Sequence, residues 1–215
     1  MVRLSELEAQ PVPGRMTPNR ELIQARGELL AKSRGFRRVE CDFGTSKGKF
    51  LSESASLNPE IFFAGIEGLS ERVSRTNKKL SRLGIGNAAV WRGWGKESLD
   101  TLIPDDFLDT LHVSFPDPWP KRRHWLRRLV NLEFLGIAAR KLKRDGVLRL
   151  MTDNPDYFEA MKSHLGTMGG WEERPWEDGI ARPVTEFETI FLAKGDPIGR
   201  IAVRRSRRTS NSFFT

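Results

Sequence analysis

Apolar residues along the chain form short continuous runs that alternate with longer segments in which they recur every three or four positions. Short runs bounded by glycine, proline or polar clusters predict buried strands, and the longer spacing predicts helices. The predicted strands cover residues 36–43, 61–66, 88–91, 108–115 and 147–151. The predicted helices cover residues 21–32, 50 to just before Pro59, 69–83, 127–143 and 156–165. This alternation predicts an α/β fold with a doubly wound, mostly parallel sheet.

The pattern changes after Gly169 and Gly170. Strands without intervening helices are predicted at residues 171–173, 186–193 and 198–204, and we expect them to add an antiparallel edge to the same sheet. There is no repeat and no internal domain boundary. The sequence therefore predicts a loose lead-in at residues 1–14, one domain at 15–203 and a basic, disordered tail at 204–215.

Charge indicates the kind of partner. The 215 residues carry a formal net charge of +8, which favours nucleic acid or an acidic membrane surface. The positive charge is concentrated at residues 121–128, 138–144 and 204–208, as expected of a binding face. The single cysteine, Cys41, excludes an internal disulfide framework and a cysteine-rich metal site. No apolar stretch approaches the roughly 18 residues of a membrane-spanning helix, and no secretory signal is evident, so we expect a cytoplasmic location.

A glycine turn after the first predicted strand is a candidate cofactor site. Asp42, Gly44 and Gly48 lie in or beside this turn, and Glu67 follows the second strand, 19 residues after Gly48. Glycines allow a close approach of the backbone to a ligand, and an acidic residue at that distance can accept hydrogen bonds from both ribose hydroxyls. The alternatives are a purely structural turn and an exposed carboxylate at the end of a strand.

Charge also separates the two cofactors that such a turn can hold. A dinucleotide site sets a pyrophosphate against a helix N-terminus behind a G-x-G-x-x-G turn. Here the two glycines are four residues apart and Asp42 precedes them. Its carboxylate would repel a pyrophosphate but suits the cationic methionine end of S-adenosylmethionine, which is therefore the predicted cofactor.

A proline-rich basic segment follows the fourth predicted strand. That strand stops at Pro116, so Asp117 falls just past the carboxyl end of a strand, where open α/β sheets bind ligands. Prolines on both sides restrict the backbone around this carboxylate. A basic strip that suits phosphate follows at Lys121, Arg122, Arg123, His124, Arg127 and Arg128. The alternative is a turn that leads into a solvated basic helix.

The segment FPDPWPKRRH at residues 115–124 resembles the signature of the bacterial tRNA (guanine-N7)-methyltransferases, and the resemblance extends over residues 15–203. It implies a Rossmann-like class I methyltransferase fold, S-adenosylmethionine as cofactor and the variable-loop guanine at tRNA position 46 as target. The family's acidic-x-Gly-x-Gly-x-Gly turn matches Asp42, Gly44, Ser46 and Gly48. Its ribose-binding acid matches Glu67.

Four positions depart from the family pattern. Ser46 replaces the middle glycine, and we expect a serine to fit only if its φ is negative or the backbone shifts. Trp94 stands where the family has an Asp beside the adenine, and it either stacks on adenine or is a core or lid residue. Trp125 and Leu126 replace a His and a Lys in the basic strip, which removes polar contacts and offers a stacking surface.

Methylation of guanine N7 requires no general base, because N7 already carries a lone pair. Positive charge develops on the purine, so a well-placed carboxylate assists the reaction. We expect Asp117 to be the catalytic residue, holding the N–H edge of guanine and bordering the cofactor. Asp153, after the fifth strand, is predicted to share this task. Its alternative role is the N-cap of the following helix.

The tRNA contacts are assigned to the basic strip. Lys121, Arg123, Arg127 and Arg128 are predicted to bind tRNA phosphates, which supply affinity without sequence choice. His124 either contacts RNA or makes a hydrogen bond at the start of a helix.

The segment Thr185, Glu186, Phe187 and Glu188 resembles the family's Thr-x-x-Glu motif, which closes over the substrate guanosine. All four residues are predicted to bind substrate. In a regular strand Thr185 and Glu188 would face opposite sides, so the segment must bend if both reach the guanosine.

The leading hypothesis is an S-adenosylmethionine-dependent tRNA (guanine-N7)-methyltransferase. The alternative is a non-catalytic tRNA-binding paralogue, which Ser46, Trp94 and the altered strip favour. The retained carboxylates favour the enzyme, because a protein that only binds tRNA needs neither cofactor nor guanine carboxylates. A nicotinamide-dependent dehydrogenase lacks the required glycine spacing and an acid–base histidine. Monomer and homodimer both stay open.

Overall fold

A seven-stranded mixed sheet lies at the centre of the structure, a computed structural model that describes residues 20–205. Its strands are β1 (Arg38–Phe43), β2 (Ile61–Glu67), β3 (Ala88–Arg92), β4 (Leu108–Ser114), β5 (Leu142–Thr152), β6 (Trp171–Arg174) and β7 (Gly199–Arg205). They lie in the order β3-β2-β1-β4-β5-β7-β6. The first five are parallel, whereas β7 is antiparallel to both β5 and β6. The predicted doubly wound sheet with an antiparallel C-terminal edge is confirmed.

Helices connect the strands in the described part of the chain. They are α1 (Arg20–Lys32), α2 (Lys49–Leu57), α3 (Ser70–Arg82), α4 (Gly95–Leu102), α5 (Leu132–Lys141), α6 (Pro155–Met168) and α7 (Glu186–Lys194). The helix α4 was not predicted from the sequence. Between residues 20 and 205, every helix is too short or too polar to cross a membrane.

The strand predicted at residues 186–193 is wrong, because this segment forms α7. Thr185 is the N-cap of the helix: its hydroxyl accepts a hydrogen bond from the Glu188 amide, and the Glu188 carboxylate accepts one from the Thr185 amide, each at 3.1 Å. This reciprocal capping box satisfies two amides of the first turn and outweighs the strand propensity of Ile190 and Phe191. Gly195 ends the helix with a left-handed φ of 74°.

The helix predicted at residues 127–143 is also shorter than expected. The side chain of Asn131 accepts a hydrogen bond from the Phe134 amide at 2.9 Å and starts α5 at Leu132. Most of the basic strip forms a separate 3₁₀ helix, Arg122–Arg127. The strand β5 begins at Leu142, so the end of the predicted helix belongs to the sheet.

The predicted ends of the domain lie near or beyond the limits of the described residues 20–205. The strand β7 continues to Arg205, two residues past the predicted end of the domain at residue 203. The rest of the predicted tail, residues 206–215, and the predicted lead-in, residues 1–14, lie outside the described residues.

Alternate residues of each central strand pack against different helices. One face of the sheet, with Cys41, Val113 and Leu150, packs under α1, α4, α5 and α6. The other face packs its apolar residues under α2 and α3. Glu40 and Asp42 point to this second face, because they alternate in β1 with residues of the first core.

The parallel strands place their carboxyl ends along one edge of the sheet. From β1 the strand order continues outward through β2 and β3 on one side and through β4 and β5 on the other. This reversal between β1 and β4 is the position at which doubly wound sheets bind ligands.

Candidate active site

A crevice lies between the ends of β1 and β4. It is lined by Asp42, by residues 114–115 at the end of β4 and by every residue of the cofactor turn (residues 44–49) except Gly48. Residues 185–187, at the start of α7, line the opposite side. The fold therefore brings the predicted cofactor turn and the Thr-x-x-Glu segment together, although some 140 residues of chain separate them.

The cofactor turn takes a left-handed conformation at three positions. The φ angles are 88° at Gly44, 54° at Ser46 and 70° at Gly48. The φ of Ser46 is therefore positive, which leaves a backbone shift as the remaining alternative of the two that the sequence offered. A left-handed serine costs about 1–2 kcal/mol, and its amide compensates by donating a 2.8 Å hydrogen bond to Oε2 of Glu67. Gly48 cannot carry a side chain, since a Cβ there would lie 2.3 Å from Cγ2 of Thr76.

Glu67 joins this turn to the end of β2. Its side chain is only 7% exposed, so the alternative of an exposed strand-end carboxylate is wrong. Oε2 accepts the Ser46 amide and Oε1 accepts the Leu69 amide at 3.0 Å. Because each carboxylate oxygen can accept a second hydrogen bond, Glu67 is held in place and retains capacity for hydroxyl groups.

Asp42 is a buried acid directly before the turn. Burial raises the pKa of its carboxyl to about 7, and the negative charge of Glu67 contributes to this increase, although hydrogen bonding with Thr45 opposes it. The side chain is 5% exposed and lines the crevice. A buried carboxyl with a raised pKa favours a cationic neighbour, because a positive charge stabilises the ionised form.

Trp94 packs beside the end of β2 without belonging to the core. Its ring packs on Gly68, where an added Cβ would lie 1.8 Å from Cε3 of the indole. The side chain is 76% exposed, so the alternative of a core tryptophan is wrong. The ring stands one residue away from Glu67, and adenine stacking stays a prediction.

Asp117 is exposed in the loop after β4. The backbone is left-handed on both sides of it, with a φ of 51° at Phe115 and 43° at Trp119. Phe115 is among the residues that line the crevice and Asp117 is not. Burial raises the pKa of the Tyr157 hydroxyl to about 12, and the negative charge of Asp117 adds a smaller increase. Asp117 thus follows the lining residue Phe115 by two positions in the sequence, and its catalytic role stays a prediction.

Asp153 follows β5 next to the end of β4. The N-cap of α6 is Asn154, whose side chain accepts a 2.8 Å hydrogen bond from the Tyr157 amide. The alternative in which Asp153 caps the helix is therefore wrong. Its half-buried carboxylate is left for another role.

The basic strip divides into exposed and structural cations. Lys121, Arg123 and Arg127 are exposed, as a phosphate-binding role requires. Arg128 is 5% exposed, and its Nε donates to the carbonyl of Pro118 at 2.7 Å. Its guanidinium also lies 4.7 Å from the ring of Tyr157. The prediction that Arg128 binds phosphate is therefore wrong, because its side chain is buried and its Nε holds the proline-rich loop.

The start of α7 brings three of its four predicted residues to the crevice: Thr185, Glu186 and Phe187. Glu186 forms a 2.7 Å ion pair with Lys47 of the cofactor turn. Glu188 does not line the crevice and instead accepts hydrogen bonds from the Thr185 amide and from Arg200, the latter at 2.6 Å. Thr185 and Glu188 therefore meet at the helix start rather than facing opposite sides.

Comparison with known proteins identifies the family. A family model described as "Putative methyltransferase" matches residues 37–201. The tRNA (guanine-N(7)-)-methyltransferase of Geobacillus kaustophilus (strain HTA426) is 36% identical over 178 residues, covering 80% of this chain and 82% of that relative. The chain belongs to the tRNA (guanine-N7)-methyltransferase family. The relative of the same name from Nitrosococcus oceani is 33% identical over 166 residues, covering 77% of this chain and 70% of its own length.

Solved structures of more distantly related proteins have the same fold. A 30S ribosomal A1408 methyltransferase from an uncultured bacterium superposes with a TM-score of 0.57 at 16% identity, covering 84% of this chain and 93% of the other. A SAM-dependent methyltransferase from Aquifex aeolicus gives a TM-score of 0.54 at 16% identity, covering 95% and 100%. These likenesses support the class I methyltransferase fold.

A buried cluster of charged side chains lies beneath residues 178–182. It was not predicted from the sequence. Arg182 Nη2 donates to Oε1 of Glu40 at 2.9 Å, and His112 Nε2 lies 2.7 Å from Oε2. Burial alone would raise the pKa of Glu40, but His112 and the Arg182 guanidinium hold it well below its usual range. A charged residue that alternates with apolar residues in a strand, as Glu40 does, was the available signal.

Proposed function

We propose that this protein transfers a methyl group from S-adenosylmethionine to N7 of the variable-loop guanine at tRNA position 46, in the cytoplasm. One observation carries the proposal. A single crevice at the switch point of the sheet joins the buried Asp42 and the Glu67-bound cofactor turn to residues 185–187 of the family's substrate motif.

The residues around the cofactor turn fit S-adenosylmethionine. Glu67 has capacity for both ribose hydroxyls, and Trp94 offers a flat exposed ring to the adenine. At Gly44 no atom lies within 4 Å of the position that a Cβ would take, so a ligand can approach the backbone. Asp42 suits the positive charge of the methionine end. When bound, the cofactor supplies an electrophilic methyl group on a positively charged sulfur.

The guanine side requires positioning and negative charge. The N7 lone pair attacks directly, so the protein has to orient the base and stabilise the positive charge that develops on it. Asp117 and Asp153 follow the neighbouring strands β4 and β5, in which Ser114 pairs with Met151. Neither carboxylate has a hydrogen-bond or ion-pair partner within residues 20–205. Both can therefore accept hydrogen bonds from the N–H edge of guanine.

The exposed part of the basic strip is suited to docking the tRNA. Lys121, Arg123 and Arg127 present cations beside the loop that carries Asp117. The Arg127 guanidinium lies 5.1 Å from the Trp119 ring, which limits its mobility. Contacts of these cations with phosphates place the tRNA, while the carboxylates select the base.

A methyl-transfer assay on bulk tRNA lacking the modification tests this function. Labelled methyl from S-adenosylmethionine should appear as N7-methylguanine at position 46. Asp117→Asn should lower kcat about 10²–10³-fold, the effect of removing one stabilising group in an active site, and leave tRNA binding intact. Asp156→Asn, an exposed carboxylate in the first turn of α6, is the matched control and should stay active.

A tRNA-binding paralogue without activity is the second candidate. One observation favours it: both Glu67 oxygens already accept backbone amides. Calorimetry with S-adenosylmethionine separates the two, because the enzyme must bind the cofactor. If the protein binds tRNA but neither binds the cofactor nor transfers a methyl group, it is the non-catalytic paralogue and the proposed activity is refuted.

A further inference from the structure

The helix α7 is not held in place by the core. None of its residues is buried, and the apolar side chains of Phe187, Ile190 and Leu192 are 45%, 42% and 54% exposed. Apart from the ring contacts of Phe187 and Phe191 with Phe115, at 6.1 and 5.1 Å between centroids, the placement of Thr185 over the crevice depends on polar contacts at the start of the helix and just before it.

Two of these contacts fix the segment to the sheet. Arg182, three residues before the N-cap Thr185, pairs with the buried Glu40 of β1. Glu188, in the first turn, pairs with Arg200 of β7 at 2.6 Å. These pairs join the segment to β1 and β7 of the sheet.

A separate pair of contacts joins the segment to the cofactor turn itself. Lys47 Nζ forms a 2.7 Å ion pair with Oε1 of Glu186. Lys49 Nζ donates to the carbonyl of Val184 at 3.2 Å. Lys47 directly follows Ser46, whose amide is bonded to the proposed ribose acid Glu67. The side chain of Lys47 therefore extends from the part of the turn that the cofactor would contact.

We propose that Lys47 is a positioning residue that joins the cofactor turn to the guanosine-binding segment through its ion pair with Glu186. The inference rests on the proposed function and deepens it, because it assigns to Lys47 the alignment of the two halves of the crevice. With the pair formed, Thr185 and Phe187 stay against the turn. The guanine base and the methyl donor are then held in a fixed position relative to each other.

The exposure of the pair sets the size of the effect. Lys47 and Glu186 have 68% and 36% of their side-chain area exposed. An exposed pair changes an equilibrium by up to about fivefold, and reversing one charge replaces attraction with repulsion. We therefore expect Lys47→Glu to raise the KM for tRNA about three- to tenfold at saturating cofactor, with a smaller change in kcat.

A charge-reversal cycle tests the proposal. The variants are Lys47→Glu, Glu186→Lys and the double variant, which restores the original net charge. Lys162→Glu is the matched control for loss of positive charge, since Lys162 forms a comparable 2.7 Å pair with Glu159 on α6. Hydrogen exchange of the α7 amides gives a second readout that needs no catalysis.

Recovery in the double variant supports the proposal: the KM for tRNA and the protection of the α7 amides should return towards wild type. If the two changes instead combine additively, Lys47 and Glu186 act independently and the proposal is overturned. A KM increase in Lys162→Glu equal to that in Lys47→Glu would also overturn it, because bulk charge would then explain the effect. Wild-type protein that fails to methylate tRNA would refute the proposed function, whereas the exchange cycle would still report on the ion pair.

Discussion

Cofactor affinity should depend on pH through Asp42. Burial raises the pKa of this carboxyl from 3.8 to about 7. If the cation of S-adenosylmethionine binds the ionised form, protonated Asp42 must lose its proton on binding. The apparent dissociation constant then increases by a factor of 1 + 10^(pKa − pH). That factor is about 30 at pH 5.5 and about 2 at pH 7, so affinity should rise about 15-fold across this range.

Titration calorimetry at several pH values measures this linkage directly. In buffers of different ionisation enthalpy, binding should release nearly one proton at pH 5.5 and about half a proton at pH 7. The range lies below the pKa of about 7.7–8.0 of an α-amino group, so the cofactor's own amine stays protonated. Asp42→Asn is the control, and its weaker binding should not vary with pH.

The same pKa has a consequence for stability. Because the folded-state pKa of Asp42 is above its ordinary value, the stability that the protonated carboxyl provides is present below pH 4 and is lost as the pH rises through about 7. At about 1.4 kcal/mol per pKa unit, the loss is at most about 4 kcal/mol. Asp42→Asn should therefore raise the free energy of unfolding of the cofactor-free protein at pH 8. Affinity that is independent of pH in the wild type, or equally dependent in Asp42→Asn, would refute this reasoning.

Three further predictions concern single side chains. Glu67→Ala should weaken cofactor binding at least about tenfold in calorimetry, since a charged hydrogen-bond acceptor is lost; unchanged affinity would place the ribose elsewhere. Arg123→Ala combined with Arg127→Ala should reduce the slope of log affinity for tRNA against log salt by about 2, measured by filter binding. Arg128→Ala should instead lower the melting temperature, and a reduced salt slope without loss of stability would restore Arg128 to the interface.

The sequence predicted those parts of the site that depend on local order along the chain. The glycine turn after β1 and the acid 19 residues beyond it are a local feature of a βαβ unit, and Gly48 and Glu67 lie where that unit places them. The ends of β4 and β5 were placed in the same way, which brought Asp117 and Asp153 to one edge of the sheet.

The predictions that failed have two causes. In one, two local signals favoured different structures; in the other, the outcome depends on a contact between residues distant in sequence. The sequence contains the capping pair Thr185 and Glu188, but the apolar residues after it favoured a strand. The helix forms because both hydrogen bonds of the capping box are made. Arg128 reads as one more cation in a basic strip. Its burial depends on the ring of Tyr157, 29 residues further along the chain, which no local pattern indicates.

The buried charges around Glu40 are explained by the segment that covers this face of the sheet. Residues 178–182, which are not helical, contact β1 through Arg182 and Glu40 and β5 through Asp178 and Arg149. An apolar cover could slide along the strands, whereas Arg182 has a defined partner in Glu40. Removing one partner of a buried pair leaves an uncompensated charge at a cost of about 3–5 kcal/mol. The pair therefore fixes the place of Thr185, three residues later, more strictly than apolar packing would.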